Sequence, residues 1–151
     1  MQYWIMKSEP SVVSIDHLAD RPNQTVDWFG VRNYLARNFL RQMKLGDVGF
    51  FYHSSCPEPG IAGLVEIVRE AYPDPTQFDP EAHEFDPKSP LDNPRWSTVD
   101  VQLVRKTRLL SLAELRDHPG LTGLRILQKG NRLSVTPVDE ADARVLLSLL
   151  G

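Results

Sequence analysis

The chain has 151 residues, of which 41% are hydrophobic and 25% charged, with a net charge of −3; that is the length and composition of one domain able to bury its own core. No apolar run approaches a membrane span, residues 1–7 carry no cationic stretch ahead of a hydrophobic one, and the single cysteine, Cys56, forbids an intrachain disulfide. These totals exclude a membrane protein, a disulfide scaffold and a general DNA-coating protein, whose affinity would rest on clustered positive charge; a soluble, cytoplasmic protein is expected.

Residues 3–8 form a short apolar run that predicts a buried strand near the terminus. Ser14 can cap a short helix over 15–19 by accepting from exposed backbone N–H groups. Residues 25–29 are β-prone and stop at Gly30. The clearest helix follows over 31–43, where Val31, Tyr34, Leu35, Phe39, Leu40 and Met43 recur at three- and four-residue spacing as one buried face. Gly46 suits a left-handed position after it. An aromatic-rich strand is expected at 48–53, a turn at 57–60 and a long strand at 61–72, with Gly63 marking a bend or a close approach.

Between 73 and 94, Pro73, Pro75, Pro80, Pro87, Pro90 and Pro94 fall among acidic residues and predict an irregular surface excursion, of a length that is often functional. Residues 99–103 alternate as a strand. Ser111, with Glu114 at capping-box spacing, starts a helix through 117. A short helix at 121–127, a turn at 129–132, a last strand at 133–138 and a helix from an Asp139 cap to about Leu150 complete the chain. Strands and helices mix without βα alternation, which predicts an α+β fold: a curved, barrel-like sheet with helices around it.

Residues suited to catalysis are sparse. His53 and Cys56 could form a thiolate pair, but nothing supplies an orienting third group. One cysteine and four histidines without repeated spacing assemble no metal set, and phosphate-loop and dinucleotide fingerprints are missing. Asp79, Glu81, Glu84 and Asp86 read as a solvated acidic loop. Asn33, Arg37, Arg41 and Lys44 align along one helix side, with Arg32 at its start. That basic stripe suits phosphates, and equally suits a solubilising helix face. Trp28 and Trp96 stand at element ends, where a tryptophan can stack a planar base, and Ser8, Asn33, His53 and Ser54 could read base edges.

Three motifs then fix a resemblance: residues 3–10 (YWIMKSEP), 28–34 (WFGVRNY) and 36–38 (ARN). With 43–47, 51–54, 59–63, 96–101 and 132–138, they closely resemble the motifs of the EVE domain, in order and across the whole chain. The resemblance implies one domain over 1–151 with a PUA-like pseudo-barrel flanked by helices. It also implies a pocket for a modified base, 5-methylcytosine or an oxidised relative, in DNA. The positions carried over to that pocket are Lys7, Ser8, Trp28, Asn33, His53, Ser54, Trp96 and Ser134, with Arg32, Arg37, Arg41 and Lys44 on flanking phosphates. No catalytic residue, metal or cofactor is expected, and the partner is nucleic acid bound by a monomer. An RNA-binding module, or an enzyme or small-molecule binder acting on nucleotides, remains open at this point.

Overall fold

In the computed structural model, which describes residues 1–128 and 130–151, β1 (Tyr3–Ser8) buries Trp4, Ile5 and Met6 and emerges at Lys7 and Ser8. Period-two alternation sends Trp4 and Met6 into one core cluster and Ile5 into another on the opposite face. α1 (Ile15–Ala19) starts where expected, with the Ser14 hydroxyl accepting from the His17 N–H and His17 Nδ1 accepting from the Ser14 N–H. β2 is short, Thr25–Asp27, and releases the chain before Trp28.

α2 spans Tyr34–Gln42, three residues shorter at its start than the apolar spacing predicts. Asn33 is its N-cap: Oδ1 accepts from the Leu35 N–H at 2.9 Å and the Ala36 N–H at 3.1 Å, a cap worth about 1 kcal/mol. The buried face also differs from the expected one, because at about 100° per residue Tyr34 falls nearly opposite it and Leu35 at its margin. Ala36, Phe39, Leu40 and the following Met43 are buried, while Tyr34 and Leu35 are 51% and 48% exposed. The chain turns back through Gly46, at φ +87°, and buried Asp47 ties the turn down by accepting from the Gln2 and Lys44 backbones and the Trp4 indole.

β3 (Val48–His53), β4 (Gly60–Pro73) and β5 (Ser97–Ser111) form the antiparallel centre of the sheet. The full order is β2-β5-β4-β3-β1-β6, with β1 parallel to β3 and β6 (Val135–Val138) antiparallel to β1. The end strands β2 and β6 do not pair, so the sheet curves without closing. α1 and α2 cover one face, and α3 (Leu112–Asp117) and α4 (Glu140–Leu150) the other. The architecture is α+β.

Three local expectations change. β5 runs on to Ser111, its outer face carrying Val104, Lys106 and Arg108, so alternation continues where charge hid it. The stretch 121–127 is two 3-10 turns, Pro119–Leu121 and Arg125–Leu127, since Gly120 and Gly123 weaken a continuous helix. Asp139 occupies the N-cap of α4 without a side-chain bond. Of the turn expected at 129–132, Lys129 lies outside the described residues; Gly130 has φ +80°.

The Pro-rich excursion is held from within. Gln77 is fully buried: its amide donates to the carbonyls of Asp74 (2.7 Å) and Trp96 (2.9 Å), and its Oε1 accepts from the Ser89 hydroxyl (2.6 Å) and the Trp96 N–H (3.1 Å). All four polar positions of that amide are satisfied.

Candidate functional site

A cavity of about 340 Å³ opens where the ends of β1 and β2 meet the excursion, at the small end of the range for ligand sites. β1 and the turn after it contribute Lys7, Ser8, Glu9, Val12 and Val13. Val26 and Asp27 come from β2, and Trp28, Phe29 and Gly30 from the loop to α2. His83 and Glu84 close the far side.

Each wall has a local cause. Trp28 donates its backbone N–H to the Val99 carbonyl at 2.8 Å and packs its ring edge-on against Phe51 at 5.5 Å, leaving it 7% exposed. The Ser8 hydroxyl donates to the Val13 carbonyl at 2.6 Å, fixing the turn over the cavity. Gly30 has φ +85°, and a Cβ there would meet Glu84 Cγ at 3.2 Å, so glycine lets loop and excursion approach. Its N–H donates to Asp74 Oδ2 at 2.8 Å.

The electrostatics are mixed. Burial lowers the pKa of Lys7, the cation of the cavity. Burial raises that of Asp27, helped by the negative charges of Asp74 and Asp100. An aromatic wall, apolar valines, a cation and a carboxyl together suit a small planar ligand with a polar edge. The Ser8 hydroxyl is not prepared as a nucleophile, because it is engaged with a carbonyl rather than a base.

The structure brings three of the eight expected pocket residues, Lys7, Ser8 and Trp28, to the cavity. The other five lie outside its lining. Asn33 caps α2. His53 Nε2 accepts from the Ile15 N–H at 3.1 Å, and burial lowers its pKa. Ser54 and Ser134 hold β1 by backbone bonds, the Ser54 N–H donating to Ser8 O at 3.0 Å and Ser134 O accepting from the Lys7 N–H at 2.8 Å. Trp96 donates its indole N–H to Asp86 Oδ2 at 2.7 Å, stacks on Tyr34 at 4.8 Å and sits 5.4 Å from the Arg32 guanidinium. It anchors the excursion to α2.

The basic stripe is similarly engaged. Arg32 turns inward, donating to the carbonyls of Val31 and Glu84, to Thr76 Oγ1 and to buried Asp74. Arg37 donates to Arg95 O and Asn38 Oδ1 and lies 4.7 Å over the Tyr34 ring. Arg41 donates to Ser97 Oγ and to the Pro94 and Arg95 carbonyls. Lys44 is exposed. Of the loop carboxylates, Asp86 binds Trp96 and Glu84 reaches the cavity. Sequence reasoning missed Glu9, Asp27, Phe29, Gly30 and His83 as lining residues; the Glu9-Pro10 pair after β1 and the polar Asp27 before Trp28 were the available signals.

No helix among the described residues is long and apolar enough to cross a membrane. The family model described as "EVE domain" matches residues 2–149. Human thymocyte nuclear protein 1 is 48% identical over 97% of this chain and 73% of its own length. A crystal structure of a Pseudomonas putida protein superposes with a TM-score of 0.94 at 52% identity, covering 99% of both chains. A crystal structure of human THYN1 protein in complex with 5-methylcytosine-containing DNA superposes with a TM-score of 0.93 at 47% identity, covering 99% of this chain and 97% of that one.

Proposed function

The chain belongs to the EVE domain family, and from that premise we propose that it is a reader of a modified base in DNA, 5-methylcytosine or an oxidised derivative, and not a catalyst. The observation that carries this reading is the cavity bounded by Lys7, Ser8 and Trp28, in a chain that superposes closely on a relative crystallised with 5-methylcytosine-containing DNA. A base entering the cavity must leave its stack, at a cost of a few kcal/mol in duplex and less in single strands. Trp28 offers the aromatic wall, Lys7 a charge-assisted donor, and Val12 with Val13 an apolar recess for a 5-substituent. Filling such a recess with one methyl contributes about 1 kcal/mol, so discrimination from cytosine is modest unless the unfilled space is costly. Asn33, His53, Ser54, Trp96 and Ser134 support this site by holding its walls. Arg37, Arg41 and Lys44 supply the positive flank toward phosphates, whereas Arg32 serves the wall.

The test is fluorescence anisotropy on labelled oligonucleotides carrying one cytosine, 5-methylcytosine or 5-hydroxymethylcytosine, single- and double-stranded, at fixed salt. Val12→Trp is the control, because Val12 lines the cavity yet is 56% exposed, so a larger side chain blocks the mouth without disturbing the core. Tighter binding to a modified base, lost in Val12→Trp at unchanged melting temperature, supports the reading. Equal, weak and salt-dependent binding to all of them would overturn it. Truncating Arg37 and Arg41 counts the phosphates they hold, since each phosphate released flattens the salt slope by about one.

A further inference from the structure

We propose that Asp27 reads the hydrogen-bonding edge of the bound base, making the pocket selective for a 4-amino pyrimidine over its 4-keto counterpart; this rests on the reading of the cavity as a base pocket. Asp27 is the last residue of β2, half-buried, and lines the cavity. Two further carboxyl groups, Asp74 and Asp100, stand close enough at this end of the sheet to disfavour the charged form of Asp27. Asp100, its partner across the ladder, accepts from the Tyr72 hydroxyl at 2.6 Å. Asp74 accepts from Gly30, Arg32 and Thr76. Among the described residues, Asp27 alone of the three receives no hydrogen bond from another residue. A partly desolvated carboxyl at a cavity wall whose donor is its own backbone N–H alone is a place for a ligand's polar edge.

The chemistry of the edge decides which ligand. A 4-amino pyrimidine presents an N4–H donor beside the basic ring nitrogen N3. One carboxyl oxygen accepts from N4–H, and one proton, held by Asp27 or by N3, bridges the other oxygen to the ring. Burial and the neighbouring negative charges favour keeping that proton on the pair. A 4-keto pyrimidine presents N3–H beside a carbonyl. Neutral Asp27 can accept from N3–H and donate to O4, but O4 is a much weaker base than N3, so the bridging proton is held less firmly and the carboxylate form, with its second oxygen set against O4, is reached at lower pH. The 4-amino complex therefore retains one proton that the free partners release as pH rises. The other charged groups facing this position are Lys7 and Glu9 from β1 and its turn, His83 and Glu84 from the excursion, and Arg21 ahead of β2.

Single-stranded oligonucleotides with one 5-methylcytosine or one thymine test this directly, because both bases carry the 5-methyl group and they differ only at this edge. Anisotropy titrations of the full chain are run from about pH 5 to about pH 8, where a single linked proton changes affinity by up to about ten-fold per pH unit. The wild-type protein is expected to prefer 5-methylcytosine on the order of ten-fold at the acidic end, with that preference declining as pH rises. Asp27→Asn is the diagnostic variant. Its amide accepts from N4–H and donates to N3 without a bridging proton, and it pairs equally with thymine. Asp27→Asn should hold 5-methylcytosine with a flat pH profile and lose its selectivity, while Asp27→Leu should bind both bases weakly. Equal wild-type binding of the two bases, or a preference that survives in Asp27→Leu, overturns this proposal and leaves the reader intact. Absence of any binding of the 5-methylcytosine oligonucleotide by the wild-type protein overturns both.

Discussion

Replacing Arg32 with methionine keeps an unbranched apolar stem and removes the guanidinium, which decides whether this residue holds a phosphate or a wall. Arg32 Nη1 lies 3.1 Å from Asp74 Oδ2, and the Asp74 side chain is fully buried. Removing one partner of a buried pair costs about 3–5 kcal/mol when the remaining charge is stranded. Asp74 is not fully stranded, because it retains the Gly30 N–H at 2.8 Å, the Thr76 N–H at 2.8 Å and the Thr76 hydroxyl at 2.6 Å. Discounting for those donors leaves an expected loss of about 2–3 kcal/mol. The Glu84 carbonyl loses both its bonds to Arg32 as well, so the far wall of the cavity loosens. Urea unfolding of the Arg32→Met protein should show the lower stability, and anisotropy at several salt concentrations should show weaker binding with an unchanged salt slope. A stability change under about 1 kcal/mol together with a slope smaller by about one would refute this argument and return Arg32 to the phosphates.

Gln77→Leu should destabilise the protein by about 2–4 kcal/mol, chiefly by orphaning the buried Trp96 N–H; faster hydrogen exchange at that amide is the local readout. His53 adds a pH term, because burial lowers its pKa from the ordinary 6.5, so the unfolded chain protonates first as pH falls. Its contribution is complete above about pH 6.5 and is lost as pH drops through the folded value. His53→Gln, which keeps an acceptor for the Ile15 N–H, should shrink the stability difference between about pH 7 and about pH 5 in urea titrations.

What the sequence revealed depended on the range of the forces involved. β1 and β3 fall where their apolar runs lie, and Ser14 and Ser111 cap the helices they precede, because pleat alternation and capping act within a few residues. α2 shows the limit: Asn33 caps it three residues later than the spacing suggests, and Tyr34 and Leu35, read as part of its buried face, lie off the face of Ala36, Phe39, Leu40 and Met43. The fates of Arg32 and Trp96 were hidden, since their partners Asp74, Glu84 and Asp86 belong to an excursion that reads as irregular. The local chain there gives no sign that Gln77 is an internal anchor. For the cavity, the motif at 3–10 located Lys7 and Ser8 and the motif at 28–34 located Trp28. Asp27 and His83 emerge only when β2 and the excursion are folded against β1.

The position of β1 bears on the order in which the molecule assembles. Its neighbours are β3 in parallel and β6 from near the far end of the chain, so both pairings require long loops to close. The β3–β4 hairpin needs only a short one. Loop-closure entropy therefore places the hairpin early and the capture of β1 late. Lys7 and Ser8 stand at the end of that strand, and Ser134, just ahead of β6, holds the Lys7 backbone. β1, which precedes both of its partners in sequence, is thus expected to be among the last strands to settle, and ligand recognition to mature only once β1 has met β3 and β6.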